Sequence, residues 1–106
     1  MFDALEVSLS VLQQLGPARE RVARRSAHLA RQMSRAAESC ALNLGEGRLR
    51  RGGDARRHDE IAAGSASEVT TALRVVAVRG YATADELASV EQLLDRLRAM
   101  LYRLTR

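Results

Sequence analysis

The chain has 106 residues, 46% of them apolar, which is enough for one hydrophobic core and too few residues for a second domain. Its formal charge of +4 is built from 17 basic residues, all of them arginine, against 13 acids; aromatics make up only 3%, which excludes a base-stacking platform of clustered rings. The single cysteine, Cys40, excludes an internal disulfide and a multi-thiolate metal centre, and reads as a small buried apolar group.

The N-terminal stretch MFDALEVSLSVLQQL carries Asp3 and Glu6 where a signal peptide would carry positive charge, and no run approaches the roughly 20 apolar residues of a membrane span. A soluble cytoplasmic protein is expected. In this stretch Phe2, Leu5, Leu9, Leu12 and Leu15 keep a helical phase that continues to Ala18 and Val22. Gly16-Pro17 interrupts it, but proline costs an internal helix one hydrogen bond and about 3 kcal/mol without forbidding it. The reading is one helix over residues 2–23, kinked near Pro17.

The second helix is expected over 26–45: Ser26 is a candidate N-cap, Leu29, Met33, Ala36, Cys40 and Leu44 form its stripe, and Gly45 or Gly47 ends it. The stretch NLGEGRLRRGGD then reads as a last helical turn, a glycine stop and a loop, with Asp54 a candidate N-cap for a third helix over 54–79. That helix carries Ile61, Ser65, Val69, Ala72 and Val76, and stops at Gly80-Tyr81. Thr83 and Glu86 form a capping box for a fourth helix over 83–105, whose leucine-rich stripe is Leu87, Val90, Leu94, Leu97, Leu101 and Leu104. Four helices of similar length predict an all-α fold, an antiparallel up-down-up-down four-helix bundle occupying residues 1–106 as one domain.

Gln32, Arg35-Ala36-Ala37, Asn43 with Glu46-Gly47, Arg51, Ala62 with Gly64-Ser65, Glu68 and Gly80-Tyr81 follow one another in an order and spacing that resembles the four-helix-bundle family encoded by intervening sequences of large-subunit ribosomal RNA genes. The chain departs from that pattern at Gly45, at His58 and Asp59, and in the position of Pro17. The resemblance implies a bundle that assembles as a homo-oligomeric ring, typically a pentamer. Distant relatives accompany diversity-generating retroelements, where a basic ring binds nucleic acid and a reverse transcriptase.

No enzyme constellation stands out. Neither His28 nor His58 has a glutamate three positions before it, as bundle-type di-iron sites need, and EGRLRRGGD lacks the Lys-Ser/Thr ending of a phosphate loop. No cofactor and no metal ion are expected. Glu46 and Glu68 are too far apart along antiparallel helices to share a site, roughly 21 Å at 1.5 Å per residue; Glu46 is expected to pair with loop arginines and Glu68 with Arg35. Gly64, inside the small-residue run AAGSAS, should cost a helix about 1 kcal/mol relative to alanine. A close approach of the second and third helices, or of a neighbouring subunit, is expected to compensate. Arg35, Asn43, Glu46, Gly47, Gly64, Ser65, Glu68 and Tyr81 are therefore candidate structural or oligomer residues.

Eleven arginines fall between residues 19 and 57 with only four acids. A bundle divides them between its ends: Arg24 and Arg25 at one, Arg48, Arg50, Arg51, Arg56 and Arg57 at the other. These are candidate contacts for RNA or DNA phosphates, multiplied around the rims of an oligomer. The competing readings are solvated charge at helix ends and an acidic protein partner.

Overall fold

The computed structural model describes residues 3–106, so the expected helix start at residue 2 and the placing of Phe2 lie outside the described residues. Four helices follow in chain order: α1 (Ala4–Ala23), α2 (Ala27–Arg48), α3 (Gly52–Arg79) and α4 (Ala84–Thr105). Each packs on two others, α1 on α2 and α4, α3 on α2 and α4, which closes the expected up-down-up-down bundle. It measures 42 × 26 × 20 Å.

Local chemistry sets most boundaries. Asp3 caps α1, its carboxylate accepting from the Glu6 amide at 3.0 Å, and Ser26 caps α2 by accepting from the Leu29 amide at 3.2 Å. Thr83 and Glu86 form the reciprocal capping box: the Thr83 amide donates to Glu86 Oε1 at 2.8 Å, and the Glu86 amide donates to Thr83 Oγ1 at 3.2 Å. Gly80 ends α3 in the left-handed conformation, φ 70°. α1 runs unbroken through Pro17. The carbonyl that the proline leaves unpaired belongs to Gln13, an exposed position where water can serve it.

Two boundaries differ from the sequence reading. α2 continues to Arg48, past both Gly45 and Gly47, because neither adopts positive φ; among the described residues only Gly52 and Gly80 do. α3 starts two residues early, with Arg51 as N-cap and no side-chain cap bond, so Asp54 lies in the first turn instead of capping it. Gly52, at φ +57°, is the glycine of this stretch that makes the chain reversal.

The core is leucine-rich on α4 (Leu87, Val90, Leu94, Leu97 and Leu101) and made of alanine and valine on α3 (Ala62, Ala66, Val69, Ala72 and Val76, with Leu73). Burying each of the larger side chains contributes about 1.5–3 kcal/mol. On α1 the buried line is Val7, Val11, Leu15, Ala18 and Val22: the predicted stripe holds from Leu15 onward, while before it Val7 and Val11 take the interior, Leu5 and Leu12 are only partly buried and Leu9 is half exposed. Leu104 and Ile61 also lie outside the core. α1 and α3 carry apolar residues on both faces, so periodicity alone allows two phases there. α3 is apolar on both sides: an 18-residue window of it reaches mean hydropathy 1.3 with 39% of that window buried, so by length and composition it could cross a membrane, contrary to the sequence reading. Here its inner face lies in the bundle.

Candidate self-association face and arginine ends

The motif residues scattered along α2 and α3 converge on one face. Gln32, Arg35, Ser39, Asn43, Ser65 and Glu68 line an open groove of about 580 Å³ between the two helices. A chain of hydrogen bonds crosses its floor. The His58 Nδ1–H donates to Asn43 Oδ1 at 2.9 Å, Asn43 Nδ2 donates to the Ser39 carbonyl at 2.9 Å, and Ser65 Oγ donates to Ser39 Oγ at 3.0 Å. Asn43 and Ser65 thus join α2 to α3 through polar groups that are half buried and satisfied.

Above this network the surface is apolar in patches. Val78 is 86% exposed, Leu42 71%, Val75 41% and Ile61 39%, and on α3 these fall in a line with Gly64, Glu68 and Thr71 at alternating spacings of three and four. Gly64 is exposed, and a Cβ placed on it would meet nothing within 4 Å. The close approach of α2 and α3 is therefore not what Gly64 serves, contrary to one of the two expectations for it. That role belongs to Gly47: a Cβ there would lie 2.9 Å from Asp59 Oδ1 and 3.5 Å from the Ala55 carbonyl. Burial against this contact raises the Asp59 carboxyl above its ordinary value, with the neighbouring His58 acting in the opposite direction. His58 and Asp59, one of the departures from the family pattern, are accommodated around Asn43 and Gly47.

Arg35 and Glu68 line the same groove but form no ion pair, so their expected pairing is absent among the described residues. Glu46 does pair with a loop arginine, Arg50, at 3.2 Å.

At the end carrying the α2–α3 loop, the candidate arginines are held by the chain itself. Arg48 pairs with Asp3, the N-cap of α1. Arg50 sits between Glu46 and Asp54, 3.5 Å from the latter. Arg56 donates to the carbonyls of Thr105 and Arg106 at the C-terminus of α4 and lies 3.6 Å from Glu60. Arg51 and Arg57 are exposed and make no ion pair among the described residues. At the opposite end, formed by the α1–α2 and α3–α4 turns, Arg21 pairs with Glu86 at 2.8 Å, and Arg25 lies 5.4 Å from the centroid of Tyr81, tying one turn to the other. This gives Tyr81 a structural task. Arg24, Arg31 and Arg79 are exposed and without an ion pair among the described residues. Sequence reasoning named Arg24 and missed Arg31 and Arg79, which only the fold brings to the same end.

Among the described residues no three His, Cys, Asp or Glu side chains gather as metal ligands. Cys40 is buried, and desolvation pushes its thiol up to about 11, which leaves it protonated and unreactive.

A family model described as 23S rRNA-intervening sequence protein matches residues 5–103 of the chain. Among solved structures, the crystal structure of a protein of unknown function from the S23 ribosomal protein family of Bacteroides thetaiotaomicron superimposes with a TM-score of 0.89. It covers 97% of this chain and 98% of that one at 16% identity. No match was found among curated proteins.

Proposed function

The chain belongs to the 23S rRNA-intervening sequence protein family, and on that footing we propose that it is a small non-enzymatic homo-oligomeric scaffold that binds RNA or DNA electrostatically through arginines at its helix ends. The observation that carries the reading is the α2/α3 face. Leu42 stands exposed in a groove built from the motif residues, and Ile61, Val75 and Val78 stand exposed along α3. An exposed apolar patch rimmed by polar groups is characteristic of a protein contact. A second copy of the chain is the occupant proposed for it, with Gly64 leaving room for a neighbouring helix. Assembly would repeat each arginine cluster, and phosphate affinity grows with the number of charges engaged.

The test joins a mass measurement by light scattering to a salt-titrated binding assay with RNA and DNA. Oligomeric mass that falls to the monomer in Val75→Glu/Val78→Glu, and binding that weakens steeply with salt, support the proposal. A monomeric wild-type protein overturns it. The pairing of Arg48, Arg50 and Arg56 within the chain favours one competing reading, a protein-interaction assembly with no nucleic-acid role. An assembled protein that binds no nucleic acid at low salt, yet recovers one defined acidic partner, would establish that alternative.

A further inference from the structure

The two ends of the bundle hold similar numbers of arginines and differ in what those arginines are free to do. The long-loop end, residues 3–6, 46–60 and 103–106, carries seven arginines against six acids. The short-turn end, residues 19–31 and 79–86, carries six arginines against three acids. Along the middle of the bundle the charges balance, so most of the net charge resides at the short-turn end. Pairing sharpens the difference. Ion pairs occupy Arg48, Arg50 and Arg56 at the long-loop end, where a phosphate must displace a carboxylate that is already in place. At the short-turn end, among the described residues, only Arg21 is so occupied. The first turn of α2, which opens this end, contains no acid, whereas the first turns of the other three helices each contain at least one.

We infer that the short-turn end, through Arg24, Arg31 and Arg79, is the phosphate-binding surface, and that the arginines of the long-loop end clasp the helix termini to one another. This rests on the nucleic-acid reading above and reverses its natural emphasis, because the long-loop end looks the more basic in the sequence. The chemistry of the surface also selects its partner class. Its rings among the described residues are Tyr81, half buried with Arg25 over it, and one exposed imidazole, His28, too few to stack successive unpaired bases. The surface recognises the phosphate backbone of a double helix, whose bases are already stacked.

Fluorescence anisotropy with labelled RNA and DNA duplexes, and with single strands of the same length, tests this in two triple variants. Arg24→Gln/Arg31→Gln/Arg79→Gln should weaken duplex binding at least tenfold. It should also flatten the dependence of log affinity on log salt by roughly 0.9 for each phosphate contact removed. Arg48→Gln/Arg50→Gln/Arg51→Gln should change affinity less than threefold while lowering the melting temperature, as loss of a clasp requires. The lysine triple Arg24→Lys/Arg31→Lys/Arg79→Lys, which keeps charge, should retain the wild-type salt slope and thereby separates phosphate contact from a folding defect. A wild-type protein that binds neither duplex nor single strand removes the function itself. A wild-type protein that binds, with the loss confined to the long-loop variant, overturns the assignment and leaves the function standing. Single strands bound more tightly than duplexes overturn the partner class.

Discussion

The two ends of this bundle are made of the same amino acids and are held together differently. At the long-loop end, helix termini are joined by ion pairs and by arginine on carbonyl: Arg48 to the cap of α1, Arg56 to the last residues of α4. At the short-turn end the joints are hydrogen-bonded caps and a left-handed glycine, with Ser26, Thr83, Glu86 and Gly80 closing the turns in few residues. A cap bond is local and uses an uncharged or singly charged group, so apart from Arg21, which meets Glu86, it leaves the neighbouring arginines unneutralised. A charge clasp consumes them. A count of arginines along the chain therefore overstates what the long-loop end can offer a polyanion.

The largest effect expected on this contrast is at Gly47, the tightest point between α2 and α3. Gly47→Leu forces a side chain against Asp59 and the α3 backbone, and should destabilise by about 1–3 kcal/mol, read as a lowered denaturation midpoint. Gly64→Ala, on the open face, should instead stabilise the monomer by up to about 1 kcal/mol. Equal responses of the two glycines would show that α2 and α3 do not close at Gly47.

At the short-turn end, Thr83→Ala should cost about 1 kcal/mol, since the Glu86 amide loses its acceptor while the bond from the Thr83 backbone amide to Glu86 remains. The same box makes a pH prediction. The Thr83 backbone amide, with a smaller contribution from Arg21, holds the Glu86 carboxyl below its ordinary value of 4.5. Its folded value is depressed, so its stabilisation is complete above the unfolded value and is lost as pH falls through the folded one. Thermal melts of the wild type should therefore fall more steeply below pH 4.5 than those of Glu86→Gln.

Individual long-loop ion pairs should matter less. Asp3→Asn or Arg50→Ala should each cost below about 1 kcal/mol, because the partners are half exposed and screened. The smallest change is expected at Asp59. Its raised carboxyl means that the charged form is disfavoured in the fold, so the uncharged Asp59→Asn should be neutral or stabilising at pH 7, within about 0.5 kcal/mol, and its advantage should vanish in acid.

Much of this was legible in residues whose reasons are local. Thr83-x-x-Glu86 and Ser26 announce helix starts because a side-chain oxygen and a backbone amide a few residues apart satisfy each other wherever the chain places them. Gly80 announces a stop because little else tolerates its φ, and the 3-4 spacing of α4 leaves one apolar face to bury. Helix number, order and the closed bundle follow from these, as does the family pattern from Gln32 to Tyr81. The tertiary structure decided what depends on a second helix. Gly47 and Gly64 look alike in sequence, and only the approach of α3 makes one a contact and leaves the other open. Leu5, Leu9 and Leu12 outweigh Val7 and Val11 in hydrophobicity, yet the buried line runs through the valines. The arginines show the limit most directly. Their charge is a property of the sequence, but whether a guanidinium faces a carboxylate or the solvent depends on residues as distant as Asp3 from Arg48 and Arg106 from Arg56, which only folding brings together.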